Sequence, residues 1–139
     1  MIVYIDSNIL IYMTQPQSKF FEPAAELLIN SSRGDYLLAT SSFGLAECLA
    51  LSPDNVLSFD FERLLSRHSI QEIPFGHESA LEFAQIRVEN GKSLRAPDII
   101  HLACAKIGRA DCFVTNDQAL CKAKVQGLKI VPLTSFVSG

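Results

Sequence analysis

The sequence predicts a three-layer α/β/α sandwich around a mostly parallel sheet of roughly five strands. Short apolar runs alternate with longer segments of helical pattern, which is typical of strands joined by helical crossovers. The run Ile2–Ile5 is continuously apolar, and such runs are typical of strands covered on both faces. With 139 residues and 48% hydrophobic content, the chain can form one domain with a substantial core. We therefore treat residues 1–139 as a single domain without internal repeats or linkers.

Runs of β-branched, aromatic and other apolar residues mark the strands. The predicted strands are residues 2–5, 36–40, 70–73, 111–115 and 129–131. The segments between them have helical periodicity, with prolines that fit a first turn and glycines that fit an end. The predicted helices are residues 22–30, 43–51, a segment from Ser52-Pro53-Asp54 to about Arg67, residues 77–90, 96–107 and 117–124.

The segment from Leu94 to Asp117 is the most informative part of the chain. Pro97 suits the first turn of a helix, and Asp98 follows it near the positive end of the helix dipole. The rest of this helix is apolar on nearly every side, which indicates burial between other layers. Gly108 is expected to end the helix, and a short strand follows that stops before Asp117.

Four acidic residues from distant segments converge in the predicted fold. Asp6 follows the first strand and Asp117 follows the fourth, while Glu47 and Asp98 lie in helices expected to begin at the same sheet edge. Without a cation, these carboxylates would repel one another and raise each other's pKa values. The arrangement therefore favours a divalent metal site, and oxygen-only ligands favour Mg²⁺ or Mn²⁺. The alternative for Glu47 is a place on a solvent-exposed stripe of its helix.

These motifs together resemble the PIN-domain family, particularly the VapC-like toxins of prokaryotic toxin–antitoxin pairs. The resemblance covers essentially the whole chain. It rests on Asp6-Ser-Asn-Ile-Leu10, the embedded Glu47, Pro97-Asp-Ile-Ile-His-Leu-Ala-Cys-Ala105 and Thr115-Asn-Asp117. Each motif alone is weak, but four in the right order form a specific pattern.

The resemblance implies a magnesium-dependent endoribonuclease, often a homodimer, that a small antitoxin protein inhibits. Asp6, Glu47, Asp98 and Asp117 match the family's acidic quartet. One or two Mg²⁺ ions, with Mn²⁺ as a substitute, would be held by these carboxylates to activate water for attack on an RNA phosphodiester. Glu47 is expected either to bind the metal or to hold the attacking water. The alternative is a PIN fold that binds RNA or a protein without cutting.

Several polar residues near the quartet are candidates for supporting roles. Ser7, Asn8, Thr115 and Asn116 are expected to orient carboxylates or hydrated metal, or else to provide ordinary turn and cap hydrogen bonds.

Arg95 and Lys92 are candidate phosphate contacts, although Arg95 has Asp98 as an alternative partner. His101 follows Asp98 at a metal-like spacing, but its apolar neighbours favour a hydrogen-bonded core histidine.

The charge distribution is uneven along the chain. The formal net charge is −3, but residues 1–86 carry four Lys/Arg against eleven Asp/Glu, and residues 87–139 carry eight against four. The basic half can attract phosphates or can be an ordinary solvated surface.

The remaining features of the sequence bear on location and on rival protein classes. No apolar run is long enough for a membrane span, and the N-terminus lacks the pattern of a signal peptide, so we expect a cytoplasmic protein. The four cysteines lack paired spacing and are expected to be reduced core thiols. A receiver domain and a dehalogenase-like phosphatase would each need a second acid beside Asp6, where this chain has Ser7-Asn8.

Overall fold

The computed structural model describes the backbone of residues 1–51 and 55–138, and the side chains of 1–51 and 60–138. Its strands are β1 Ile2–Ile5, β2 Leu37–Ser41, β3 Gln71–Ile73, β4 Cys112–Thr115 and β5 Lys129–Pro132. Its helices are α1 Ser7–Tyr12, α2 Phe21–Ser32, α3 Ser42–Ala50, α4 Asn55–Arg67, α5 His77–Asn90, α6 Ala96–Ile107, α7 Gln118–Cys121 and α8 Leu133–Ser138, with a 3₁₀ turn at Gly91–Ser93.

The five strands form one parallel sheet in the order β3-β2-β1-β4-β5. Because β1 lies between β2 and β4, the chain leaves the central strand directly at Asp6. In the register of this pairing, Ile5 lies beside Val114, so Asp6 and Thr115 follow at the same edge. This edge is the carboxyl end of the sheet, where ligands of such folds usually bind.

Alternate residues of each inner strand face opposite hydrophobic cores. Val3 and Ile5 pack on one side with residues from α1, α2, α3, α4 and α8. Tyr4 and Phe113 pack on the other side with residues from α5, α6 and α7. The predicted α/β/α sandwich is therefore confirmed, and the sheet is parallel at every pairing described.

The predicted strands and helices are all present, with small shifts at their ends. The proposed start of α4 at Ser52-Pro53-Asp54 lies outside the described residues. The predicted helix over 117–124 is shorter, because Asp117 is its N-cap and Asn90 binds the backbone of Lys124 beyond its end. Asn90 Oδ1 accepts from Lys124 N at 2.9 Å, and Asn90 Nδ2 donates to Lys124 O at 3.0 Å. Helices α1 and α8 were not predicted.

Gly108 ends α6 as predicted, but the reason for glycine differs from the expected one. Its φ is −76°, which any residue can adopt, so no left-handed conformation is involved. A Cβ added at this position would lie 2.1 Å from Cδ1 of Ile73 on β3. Glycine here therefore permits the close approach of α6 to the sheet.

The four cysteines are free thiols as predicted. Cys48, Cys104 and Cys112 are buried, and Cys121 is half-buried. Burial raises the pKa of Cys48, with further contributions from Glu47 and Asp6, to about 12. This thiol is therefore protonated at neutral pH. Among the described residues, no helix has both the length and the apolar character needed to cross a bilayer.

Candidate metal-dependent nuclease site

Asp6 is fixed at the carboxyl end of β1 by hydrogen bonds to both of its carboxylate oxygens. Oδ1 accepts from the backbone N–H of Ser7 at 2.8 Å, which caps α1. Oδ2 accepts from the hydroxyl of Thr115 at 2.8 Å. The Thr115 oxygen in turn accepts from the backbone N–H of Asp117 at 3.0 Å. One buried threonine therefore ties together two of the predicted acids.

Asp98 is the third residue of α6 and is buried, with a relative exposure of 8%. Burial raises its pKa, and the nearby charges of Asp117 and Asp6 raise it further. Arg95 opposes that rise through its charge and through a backbone hydrogen bond to the Asp98 carboxylate. These shifts indicate that three of the four predicted acids lie within electrostatic range of one another.

Asp117 also has a structural role at the start of α7. Its Oδ1 accepts from Ala119 N at 2.8 Å and from Leu120 N at 3.4 Å. Its Oδ2 takes no part in these two bonds. The carboxylate therefore caps a helix while it lies close enough to Asp98 to raise the pKa of that residue.

Glu47 reaches the same edge from the second turn of α3. Its side chain is 33% exposed, and Oε1 lies 2.5 Å from Nε2 of His101. Partial burial acts to raise the Glu47 pKa, but hydrogen bonds and favourable charge from His101, with Ser7 and Arg95, lower it overall. The same His101 nitrogen is 3.6 Å from Asp6 Oδ1. Glu47 is therefore connected to the other acids through a histidine.

The structure separates the candidate supporting residues into two groups. Ser7 and Thr115 are buried against Asp6. Asn8 is exposed on α1. The buried Nδ2 of Asn116 has no hydrogen-bond partner among the described residues.

The two candidate phosphate contacts lie on the segment that leads into α6. Arg95 is its N-cap residue, with a side chain that is 80% exposed, and its Nε is 3.8 Å from Asp98 Oδ2. This contact matches the alternative predicted for Arg95, although a distance of 3.8 Å leaves its guanidinium open to other partners. Lys92 is exposed on the 3₁₀ turn between α5 and α6.

The donor set fits a hard divalent cation in its chemistry. Four carboxylates from four segments supply only oxygen ligands, and repulsion among three of them is relieved by a positive charge. As the side chains are placed, however, no three His, Cys, Asp or Glu residues in the described part of the chain are close enough to hold an ion. Glu47 Oε1 is hydrogen-bonded to His101, and Asp117 Oδ1 is hydrogen-bonded to the backbone of α7. The other oxygen of each carboxylate takes no part in these bonds, and a cation would have to draw the acidic side chains closer together.

His101 is the residue that sequence reasoning placed in the core and outside the candidate site. It is buried and hydrogen-bonded as expected, with 2% exposure, yet its partners are the site residue Glu47 and the core residue Tyr4. The spacing from Asp98 to His101 was the only signal in the sequence, because its contact with Glu47 joins residues 54 positions apart.

The fold and this acidic edge define a class of protein: a three-layer α/β/α domain with carboxylates gathered at the C-terminal ends of its parallel strands. The chain belongs to the PIN domain family, whose model matches residues 3–126. No curated protein matches the sequence.

Several solved structures have the same fold at low sequence identity. VapBC2 from Rickettsia felis, bound to a promoter DNA fragment, aligns with a TM-score of 0.72 and 19% identity over 95% of this chain and 98% of that chain. A toxin–antitoxin complex from Klebsiella pneumoniae aligns with a TM-score of 0.69 and 20% identity, over 91% of this chain and 94% of that chain. VapC20 from Mycobacterium tuberculosis is described as a sarcin-ricin loop cleaving toxin. It aligns with a TM-score of 0.70 and 10% identity, over 91% of this chain and 98% of that chain.

Proposed function

We propose that this protein is a metal-dependent endoribonuclease and the toxin of a type II toxin–antitoxin pair. The observation that carries the proposal is the gathering of Asp6, Asp98 and Asp117 within electrostatic range at the carboxyl edge of the sheet, with Glu47 linked to them through His101. Membership of the PIN domain family and the fold shared with VapC20 support a nuclease rather than another use of that edge.

In this proposal, Asp6, Glu47, Asp98 and Asp117 would hold Mg²⁺, or Mn²⁺ in its place. The bound ion would supply a water of lowered pKa and charge stabilisation for the phosphodiester. The Thr115 hydroxyl and the Ser7 backbone N–H each donate a hydrogen bond to the Asp6 carboxylate and thereby keep it oriented. The exposed Arg95 and Lys92, on the segment that leads into α6, would contact RNA phosphates.

The test is cleavage of a mixed pool of structured and single-stranded RNA in Mg²⁺ or Mn²⁺. We expect wild-type protein to cut, and we expect both chelator and Asp98→Asn to abolish cutting while circular dichroism and thermal unfolding show an intact fold. Removal of one metal-site group typically lowers the rate by several orders of magnitude, because charge stabilisation is lost in the transition state.

The matched control is Asp35→Asn, which makes the same chemical change at an exposed residue before β2, away from the acidic edge. It should cut like wild type. Equal activity in Asp98→Asn and Asp35→Asn would remove the acidic site from the mechanism. A folded wild type that cuts no RNA in the pool would contradict the nuclease proposal and favour the silent RNA- or protein-binding PIN module.

The proposal includes an antitoxin partner, a homodimer and a cytoplasmic location. Support for the partner comes from the Klebsiella pneumoniae neighbour, whose structure is described as a toxin–antitoxin complex. Co-expression with the product of an adjacent small reading frame should relieve growth arrest and give a complex that copurifies. Sedimentation of the purified chain should give twice its mass of 15.3 kDa. Growth arrest unchanged by that product, or a monomeric mass, would contradict the respective part.

A further inference from the structure

A buried chain of hydrogen bonds runs from the interior of the sheet to Glu47. The Tyr4 hydroxyl on β1 lies 2.8 Å from Oγ of Ser41 and 2.7 Å from Nδ1 of His101. The other ring nitrogen of His101 lies 2.5 Å from Oε1 of Glu47. Tyr4 and Ser41 are fully buried, and His101 is 2% exposed. Only Glu47, at the end of this chain, reaches solvent.

The imidazole ring of His101 is fixed by its surroundings. The Tyr4 ring packs edge-on at 5.9 Å between centroids, and the Phe43 ring packs edge-on at 5.3 Å. A Cβ added at Gly44 would lie 3.1 Å from Cε1 of His101, so α3 approaches the ring as closely as glycine permits. The ring is therefore packed against Tyr4, Phe43 and the backbone of Gly44.

The nitrogen that faces the site lies near two carboxylates at once. Nε2 of His101 is 2.5 Å from Glu47 Oε1 and 3.6 Å from Asp6 Oδ1. An ionised carboxylate can only accept, so Nε2 carries the proton in this contact. Glu47 is a long, partly exposed side chain, and holding it in one position costs rotamer freedom. The buried ring, together with the side chain of Ser7, provides that restraint before any ligand binds.

We propose that His101, anchored by Tyr4, is a positioning residue that holds the Glu47 carboxylate toward Asp6. It touches neither metal nor RNA in this role, and acts only through Glu47. The expected effect on cation affinity rests on the proposed function, because a carboxylate held in place binds a cation more tightly than a mobile one. The positioning itself is a property of the metal-free protein.

The test is a double-mutant cycle on Mn²⁺ affinity, measured by titration calorimetry with full-length protein. We expect His101→Leu, which removes the donor, to weaken Mn²⁺ binding about 10- to 100-fold. His101→Gln keeps an N–H donor and should recover part of the affinity. In a Glu47→Ala background, His101→Leu should cause no further loss, because the group that it positions is absent.

A role in folding alone would give a different pattern. Equal losses of Mn²⁺ affinity in the wild-type and Glu47→Ala backgrounds would overturn the proposal, as would no loss in His101→Leu. If His101→Leu does not fold, Tyr4→Phe replaces it in the cycle, because it removes the hydroxyl and keeps the ring stacked on Phe113 at 5.1 Å. We expect a several-fold weakening from Tyr4→Phe, again absent with Glu47→Ala.

A second measurement separates this inference from the proposed function. In crystal structures of metal-free protein, the Glu47 carboxylate should face Asp6 in the wild type and should leave that position in His101→Leu, or in Tyr4→Phe if His101→Leu does not fold. A carboxylate that stays in place would overturn the positioning role. If wild type binds no Mn²⁺, the proposed function fails, and these structures still decide whether His101 positions Glu47.

Discussion

Three of the acidic side chains at the sheet edge also stabilise the ends of helices. Asp6 caps α1, Asp117 caps α7, and Asp98 accepts a backbone hydrogen bond from Arg95 at the start of α6. Alanine at these positions would remove a cap together with a charge and cost about 0.5–2 kcal/mol of stability. Asparagine keeps a carbonyl oxygen as acceptor. The →Asn variants are therefore the cleaner probes of the charge itself.

Asp98→Asn should stabilise the metal-free protein at neutral pH. The pKa of Asp98 is raised by burial and by Asp117 and Asp6, so the folded protein holds this proton more tightly than the unfolded chain does. Wild-type stability therefore falls as pH rises from the ordinary value of 3.8 through the raised folded pKa. Asp98→Asn does not undergo this loss.

Urea unfolding in the presence of chelator, from pH 3.5 to 7, measures the effect. The advantage of Asp98→Asn over wild type should be absent at the acidic end, grow across that window and stay constant above it. The lowered pKa of Glu47 contributes stability of opposite pH dependence, which is lost as pH falls. That contribution is common to both proteins and cancels in the difference. A difference that is independent of pH would contradict the repulsion among the acids.

At the level of elements, the sequence predicts the bounds of those helices and strands that local residue patterns determine. Prolines, glycines and apolar runs placed α5 and α6 at their observed bounds, and the strands within one residue. Helices α1 and α8 were missed because each has only six residues, too few for a clear period. The length of α7 was overestimated, since the backbone of Lys124 is bound by Asn90, which lies 34 positions away.

The candidate site was predictable to the extent that it depends on topology. Asp6 and Asp117 were expected at the same sheet edge, because each follows a strand of one parallel sheet. That β1 and β4 are neighbours, and that Thr115 contacts both residues, is seen only in the structure. The orientation of Glu47 was not predictable, because it depends on its contact with His101, which is distant in sequence. The spacing of the four carboxylates at this edge is likewise a matter of packing, which local patterns do not encode.

Gly44 is the element-scale feature that brings α3 and α6 together. A Cβ at this position would lie 2.9 Å from Oγ1 of Thr40 and 3.1 Å from Cε1 of His101. Alanine favours a helix over glycine by about 1 kcal/mol, but overpacking a buried contact costs about 1–3 kcal/mol. We expect Gly44→Ala to be destabilising by up to about 2 kcal/mol in urea unfolding, despite its better helix propensity.

A second substitution provides the control for Gly44→Ala. The hydroxyl of Thr40 is buried without a hydrogen-bond partner among the described residues, so truncating this side chain removes an obstacle and loses no hydrogen bond. The double variant Gly44→Ala with Thr40→Ala should be less destabilised than the sum of the two single variants. Simple additivity, or stabilisation by Gly44→Ala alone, would contradict the close approach of Gly44 to Thr40.

At the scale of the whole molecule, the fold joins two halves of opposite charge at one site. Asp6 and Glu47 come from the acidic half, whereas Asp98 and Asp117 come from the half with eight Lys/Arg against four Asp/Glu. The exposed Arg95 and Lys92 precede the Asp98 helix. Basic groups therefore lie beside the acids that an anionic substrate would otherwise avoid, which is consistent with a cation and phosphates meeting at this edge.

Because the proposed ligands come from both halves, a bound cation should stabilise the whole fold. An ion that binds only the native state adds RT ln(1 + [ion]/Kd), about 2.7 kcal/mol at 100 times the Kd. For a domain of this size, such a gain raises the Tm by roughly 5–10 °C. Differential scanning fluorimetry with MnCl₂ or MgCl₂, against NaCl at equal ionic strength, measures the shift.

The matched proteins for this experiment are Asp98→Asn and Asp35→Asn. Asp98→Asn removes one carboxylate from the acidic edge and should lose most of the Tm shift, whereas Asp35→Asn should keep it. Asp98→Asn should also begin from a higher Tm in chelator, since repulsion with Asp117 and Asp6 is already relieved. An equal shift in all three proteins would mean that the ion binds elsewhere on the surface, because loss of a site carboxylate would then leave the binding free energy unchanged.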